Sequence, residues 1–131
     1  MTEPLVTVAS GRGFQETLDA LVAALDKRGV PVFAHIDHAA NAKAAGLELR
    51  PTTVVIFGSA KAGTPLMQAQ QALGLDLPLR MLVYEDQDGV RIAYREPAAV
   101  MRAHGLGPDG MPSITAMSAL LASLAQEAAQ A

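Results

Sequence analysis

Two stretches of this chain carry residue types that can do chemistry. The first is Gly58-Ser-Ala-Lys-Ala-Gly63-Thr64, a small-residue loop that follows the apolar run Val54-Val-Ile-Phe57. A strand that hands over to a helix through glycines leaves backbone N–H groups clustered at one end. Such a cluster, aided by the helix dipole, holds phosphate, sulfate or carboxylate groups. Gly58 and Gly63 keep the spacing of the P-loop pattern G-x-x-x-x-G-K-S/T, but Thr64 stands where the phosphate-binding lysine belongs. That difference argues against nucleotide hydrolysis. It leaves a simpler expectation, that Gly58, Ser59, Lys61, Gly63 and Thr64 hold a small anionic molecule. The competing reading is a plain strand-to-helix turn, with Thr64 as N-cap and Pro65 at the first helical position.

The second stretch is His35-Ile-Asp37-His38. On a strand, His35 and Asp37 project to one face about 7 Å apart, within reach of a shared ligand or proton. His38 turns away from them. These three are the candidates for acid–base catalysis, and they define the alternative of an enzyme using a His35/Asp37 proton-transfer or metal site. A zinc site wants three or four ligands and no third is visible nearby, so no metal is assigned. Asp37 also accounts for itself as the cap of a following helix. Arg80, Arg91 and Arg95 can form a basic strip on a hairpin, although Asp86 is placed to neutralise Arg91 across the strands. Glu85 and Glu96 are too isolated to nominate as a catalytic carboxylate pair. The residues name no cofactor.

The chain that must position these groups has 131 residues, half of them apolar, which suits one domain over residues 1–131 with a sizeable core. Ten Lys/Arg against thirteen Asp/Glu, a net charge of −3 and only five Phe and Tyr argue against a nucleic-acid partner, which demands a basic patch and stacking surface. With no cysteine there is no thiolate chemistry and no disulfide. Neither a secretory signal nor a run of roughly 18 apolar residues is present, so a cytoplasmic protein without a membrane span is expected.

Leu5–Ala9 reads as a strand and Ser10–Gly13 as a turn. A helix follows with Phe14, Leu18, Leu21, Val22 and Leu25 on its buried stripe and Gly29 at its end. In the strand Pro31–Asp37, alternation puts Val32, Ala34 and Ile36 on one face and Phe33, His35 and Asp37 on the other. A short helix through Ala45, a central strand Pro51–Phe57 and a helix from Thr64 to Leu73 come next. Asp88-Gly89 between Leu79–Asp86 and Val90–Glu96 is a hairpin signal; as a two-residue loop it pairs Asp86 with Arg91 and Val83 with Tyr94. Pro97 opens a helical turn to His104, a Gly/Pro loop spans Gly105–Gly110, and a last helix carries Ile114, Met117, Leu121, Leu124 and Ala128 on one stripe. The major elements run β-α-β-β-α-β-β-α. They predict an α+β domain, a largely antiparallel sheet with helices packed on one face. Ala116 and Leu120 on the last helix fit a homodimer seam.

Several blocks together resemble a known family. Phe33–Leu49 reads F-A-H-I-D-H-A-A-N-A-K-A-A-G-L-E-L and continues into Arg50-Pro-Thr and Ile56-Phe-Gly. With Gly63-Thr-Pro-Leu-Met67, Leu75-Asp-Leu-Pro78 and the hairpin ending at Tyr94, these resemble the bacterial domain of unknown function 302 family in the expected order. The resemblance implies a helix-covered antiparallel sheet and a dimer, and it brings no activity with it. The family usually has Gly-Asn-Pro where this chain has Gly58-Ser59-Ala60, so the loop here has less to fix its turn. The expectation drawn from residues and family together is a binding module for a small anionic ligand. A His35/Asp37 enzyme and a purely structural interaction domain are its rivals.

Overall fold

The computed structural model describes residues 5–107 and 112–131; part of the expected Gly105–Gly110 loop and the first four residues lie outside them. Five strands, β1 (Leu5–Ala9), β2 (Val32–Asp37), β3 (Thr52–Phe57), β4 (Leu79–Asp86) and β5 (Gly89–Arg95), form one sheet in the order β1-β5-β4-β3-β2. Every neighbouring pair is antiparallel. The helices are α1 (Phe14–Lys27), α2 (His38–Ala44), α3 (Ala60–Ala69), α4 (Pro97–Ala103) and α5 (Pro112–Ala129), with a 3₁₀ turn at Gln71–Leu75. The single α+β domain with a helix-backed antiparallel sheet expected from the sequence is the observed one.

Alternation explains which face the helices cover. Val55 and Phe57 of β3, Met81 and Val83 of β4, and Val90, Ile92 and Tyr94 of β5 point to one side and are buried under α1 and α5. Removing a residue such as Phe57 from water contributes on the order of 2–3 kcal/mol. The α5 stripe read from the sequence is buried along its whole length, and it serves two clusters. Leu121, Leu124 and Ala128 close the sheet core, while Ile114 and Met117 close a smaller cluster with Leu66, Leu73 and Met101. That second cluster seats α3 and the 3₁₀ turn against α4 and α5. On the other face of the sheet Ala34, Ile36, Val54, Ile56, Leu82 and Tyr84 are only half-buried.

Three local expectations are corrected. In β2, a bulge between Val32 and Ala34 breaks strict alternation: Val32 pairs with Phe57 on the helix side, while Ala34 pairs with Ile56 on the open side. In the hairpin, Asp86 pairs with Gly89, Tyr84 with Arg91 and Val83 with Ile92, so the loop is Gln87-Asp88. A two-residue Asp88-Gly89 turn of the mirror-image type needs positive φ at both positions, and Gly89 alone has it, at 133°. Asp86 fastens the turn instead, accepting from the Asp88 N–H at 2.8 Å and from Arg91 Nε at 3.1 Å. Finally, α3 begins four residues before the expected Thr64 cap, with Ser59 as N-cap. Ala60, Lys61 and Ala62 are good helix formers, and Pro65, sixth in the helix, removes only the bond to the Lys61 carbonyl.

Candidate functional site

The early start of α3 changes what the glycine-rich loop is. Only Gly58 and Ser59 remain outside the helix; Lys61, Gly63 and Thr64 are helical. The Ser59 carbonyl accepts from the Ala62 N–H at 3.1 Å and the Gly63 N–H at 2.9 Å, and the Gly58 N–H is spent on the Pro31 carbonyl. The amides near Thr64 are therefore ordinary helical donors. Two remain: the Ala60 and Lys61 N–H groups have no acceptor among the described residues, as the first turn of a helix dictates. The Ser59 hydroxyl makes no cap bond either. The positive end of the α3 dipole thus carries two open amides, one free hydroxyl and the exposed Lys61 side chain.

Of these residues Ser59 and Ala60 line a cavity of about 290 Å³, together with Gly58, Ala62, Gly63 and Thr64, while Lys61 lies next to them in the chain and outside its lining. Its remaining wall is apolar: Val30 before β2 and Phe33 within it, Met67 of α3, Leu77, Pro78 and Leu79 leading into β4, and Met117 and Leu120 of α5. The β2 bulge turns Phe33 out of the core, leaving it 57% exposed, and its ring lies 3.8 Å from the position a Gly58 Cβ would take. Leu120, expected at a dimer seam, belongs to this wall. Apolar walls with a few convergent polar groups describe a small-molecule site, and the volume falls near the lower end for one.

His35 and Asp37 share a face, opposite Val55 and Thr53, but β2 is the edge strand and both side chains are exposed. Asp37 Oδ1 accepts from the Ala40 N–H at 2.9 Å, so it caps α2 as the sequence allowed. His38 lies in α2 and lines a different cleft. Among the described residues no three histidine, aspartate or glutamate side chains gather as a metal site would require. Asp37 and His38 line separate clefts, and His35 lines neither of them.

Sequence reasoning missed several polar pairs, and one of them borders a cleft. Asp76 Oδ2 and His104 Nε2 are 2.6 Å apart, with only 16% of the histidine side chain exposed. They lie 28 residues apart and meet because α4 packs beside the 3₁₀ turn, which no local pattern announces. Near them Tyr94 is buried, and burial together with the Glu96 charge pushes its phenol above the ordinary tyrosine value. Glu96 itself caps α4 through the Ala98 N–H and accepts from the Ser118 hydroxyl. On the hairpin the Asp88 N–H and the Arg91 guanidinium hold the Asp86 carboxyl below the usual carboxylate range.

A five-stranded antiparallel sheet with helices on one face and an apolar cavity at a helix start defines a small α+β domain of the open-faced kind. The chain belongs to the family described as "Domain of unknown function DUF302", whose sequence profile matches residues 6–128. A crystal structure of an uncharacterized conserved DUF302 protein from Bacillus stearothermophilus superposes with a TM-score of 0.84 at 18% identity, covering 95% of this chain and 97% of that one. The likeness is one of fold. In sequence, the chain is 43% identical over 114 residues to a protein named fluoride-specific ion channel FluC 1 from Brucella suis, covering 86% of this chain and 45% of that protein. A FluC 1 protein of Brucella abortus is 43% identical over the same length, with 42% of it covered. The chain thus spans less than half the length of the curated relatives it matches. No helix among the described residues is long and apolar enough to cross a membrane.

Proposed function

We propose that this protein is a binding module for a small monoanionic molecule with an apolar body. The body occupies the cavity walled by Phe33, Leu77, Pro78 and Met117, and the anionic head sits at the Ala60 and Lys61 amides with Ser59 and the Lys61 ammonium beside it. The observation that carries this reading is the coincidence of an uncapped helix start with the mouth of an apolar cavity. Octanoate is a suitable probe. Its chain would contribute on the order of 5 kcal/mol from about six buried methylenes, and binding entropy offsets a large share of that. A dissociation constant of about 1 mM or weaker is expected. Octanol, which brings no charge to the amides, should bind about tenfold more weakly. Calorimetric titration tests this: equal affinities for octanoate and octanol, or octanoate binding untouched by the Ser59→Ala/Lys61→Ala double variant, would remove the anion from the account.

The relatives favour a second reading at a different level. A channel has to cross the membrane, and this chain type supplies less than half of the FluC proteins it matches and no spanning helix among its described residues. We infer that it serves as an extramembrane companion of a small-anion channel. Co-purification of this chain with the remaining part of the Brucella suis protein in detergent is expected; its failure at micromolar concentrations of both would sink that reading.

A further inference from the structure

A larger cleft, of about 500 Å³, opens on the sheet face that carries no helix layer. Its origin is a parting of two strands. β4 and β5 are paired from Asp86↔Gly89 to Leu82↔Ala93 and no further. Yet β4 stays paired with β3 back to Leu79, and β5 stays paired with β1 out to Arg95. The first three residues of β4, Leu79 to Met81, and the last two of β5, Tyr94 and Arg95, therefore keep their outer neighbours and lose one another. The cleft follows that wedge, so its lining takes Val54, Leu82 and Ala93 from the open face and Met101 and Leu121 from the helix layer beneath. Its floor is apolar, and its rim carries His38, Asp76, Arg80, Tyr84 and Arg95.

The rim charges sort themselves. Arg91, on the same face, is held by Asp86 at 3.1 Å. Asp76 is held by His104 at 2.6 Å. Arg95 is engaged in an interaction of its own. Arg80 is exposed, lies opposite Ile56 on the open face, and has no hydrogen-bond or ion-pair partner among the described residues. A guanidinium standing over an apolar floor is a fork for one carboxylate, whose two oxygens match its parallel donors. The tyrosine hydroxyl and the histidine ring on the rim add donors. The Asp76 carboxylate would repel a second negative charge at that end of the cleft.

We propose that this cleft is a second binding site, for a monocarboxylate carried on a flat or branched apolar body, with Arg80 as the residue that selects the carboxylate. The site is separate from the one at the start of α3. The two cavities meet only at Pro78 and Leu79, which line both, and neither needs the other to be filled.

The test uses 2-naphthoate as probe with the 15N-labelled chain, followed by amide chemical shifts. Saturable shifts are expected at Val54, Leu82 and Ala93, and the neutral analogue 2-naphthylmethanol should bind about tenfold more weakly, as loss of a charge-assisted contact implies. Because Arg80 is exposed and unpartnered, Arg80→Gln should fold normally and weaken naphthoate about tenfold while leaving naphthylmethanol unchanged. A dicarboxylate, naphthalene-2,6-dicarboxylate, should bind less tightly than naphthoate, and Asp76→Asn should narrow that gap. The proposal is overturned if Arg80→Gln binds naphthoate as tightly as the parent chain. It is equally overturned by shifts confined to Gly58–Ala62, or by no saturable shift up to millimolar probe. Octanoate binding at α3 is read from a different set of amides, so either site can fail alone.

Discussion

Replacing Gly63 by alanine separates an anion-cradling loop from a helix that begins earlier than its sequence suggests. Gly63 is the fourth residue of α3, buried, with its N–H bonded to the Ser59 carbonyl at 2.9 Å and no positive φ. A methyl placed there would sit 3.5 Å from Leu77 Cδ1 and 3.8 Å from Met67 Cε, which is ordinary van der Waals contact. Alanine inside a helix is favoured over glycine by about 1 kcal/mol, and the new methyl is buried without displacing backbone. Gly63→Ala should therefore raise stability by about 1 kcal/mol, visible as a rise of about 3–4 °C in Tm by scanning calorimetry. Were Gly63 part of a left-handed turn or a phosphate-wrapping loop, the same change would cost stability through strain. A Tm lowered by Gly63→Ala would refute the helical assignment and the site built on it.

Other outcomes follow from the same contacts. Thr17 is fully buried, its hydroxyl 2.8 Å from the Gly13 carbonyl and 2.6 Å from Ser10 Oγ. Thr17→Val should cost about 1–3 kcal/mol in urea unfolding, because the Ser10 hydroxyl then keeps only the Arg12 N–H as partner at the β1–α1 junction. Phe57→Ala empties the middle of the sheet core and should cost about 3–5 kcal/mol, with the unfolding midpoint falling at unchanged slope. Glu127 joins α5 to α1 through Arg28 at 2.6 Å and Lys27 at 3.2 Å, which hold its carboxyl below the ordinary glutamate value. A depressed folded-state value means that this contribution is fully present above the ordinary value and disappears as pH falls through the depressed one. Glu127→Gln should therefore lower Tm at pH 7 and match the parent chain in acid; an equal deficit at both would contradict the ion-pair account.

The layered fold was legible because its long elements repeat their apolar residues at one strict period. Leu21 and Leu25 of α1 and the whole Ile114–Ala128 stripe of α5 are buried where periodicity put them. What failed to show were places where two local preferences compete. Pro65 favours a helix start, yet the alanines before it favour helix more, and losing one hydrogen bond costs less than starting α3 late. The Asp88-Gly89 pair invites a mirror-image turn, yet Asp86 bonds the Asp88 amide and moves the loop back by one residue. Neither cavity could be read from the chain. One depends on a bulge that turns Phe33 outward, the other on the divergence of β4 from β5, and both are tertiary consequences.

The most direct test of binding at the start of α3 is the response of two amides. Titrating octanoate into the 15N-labelled chain should move the Ala60 and Lys61 N–H resonances downfield, saturably and together. Octanol at the same occupancy should shift only the cavity wall at Ala62 and Met117. Ala60 and Lys61 resonances that stay fixed while octanoate binds would show that the helix start does not hold the anion.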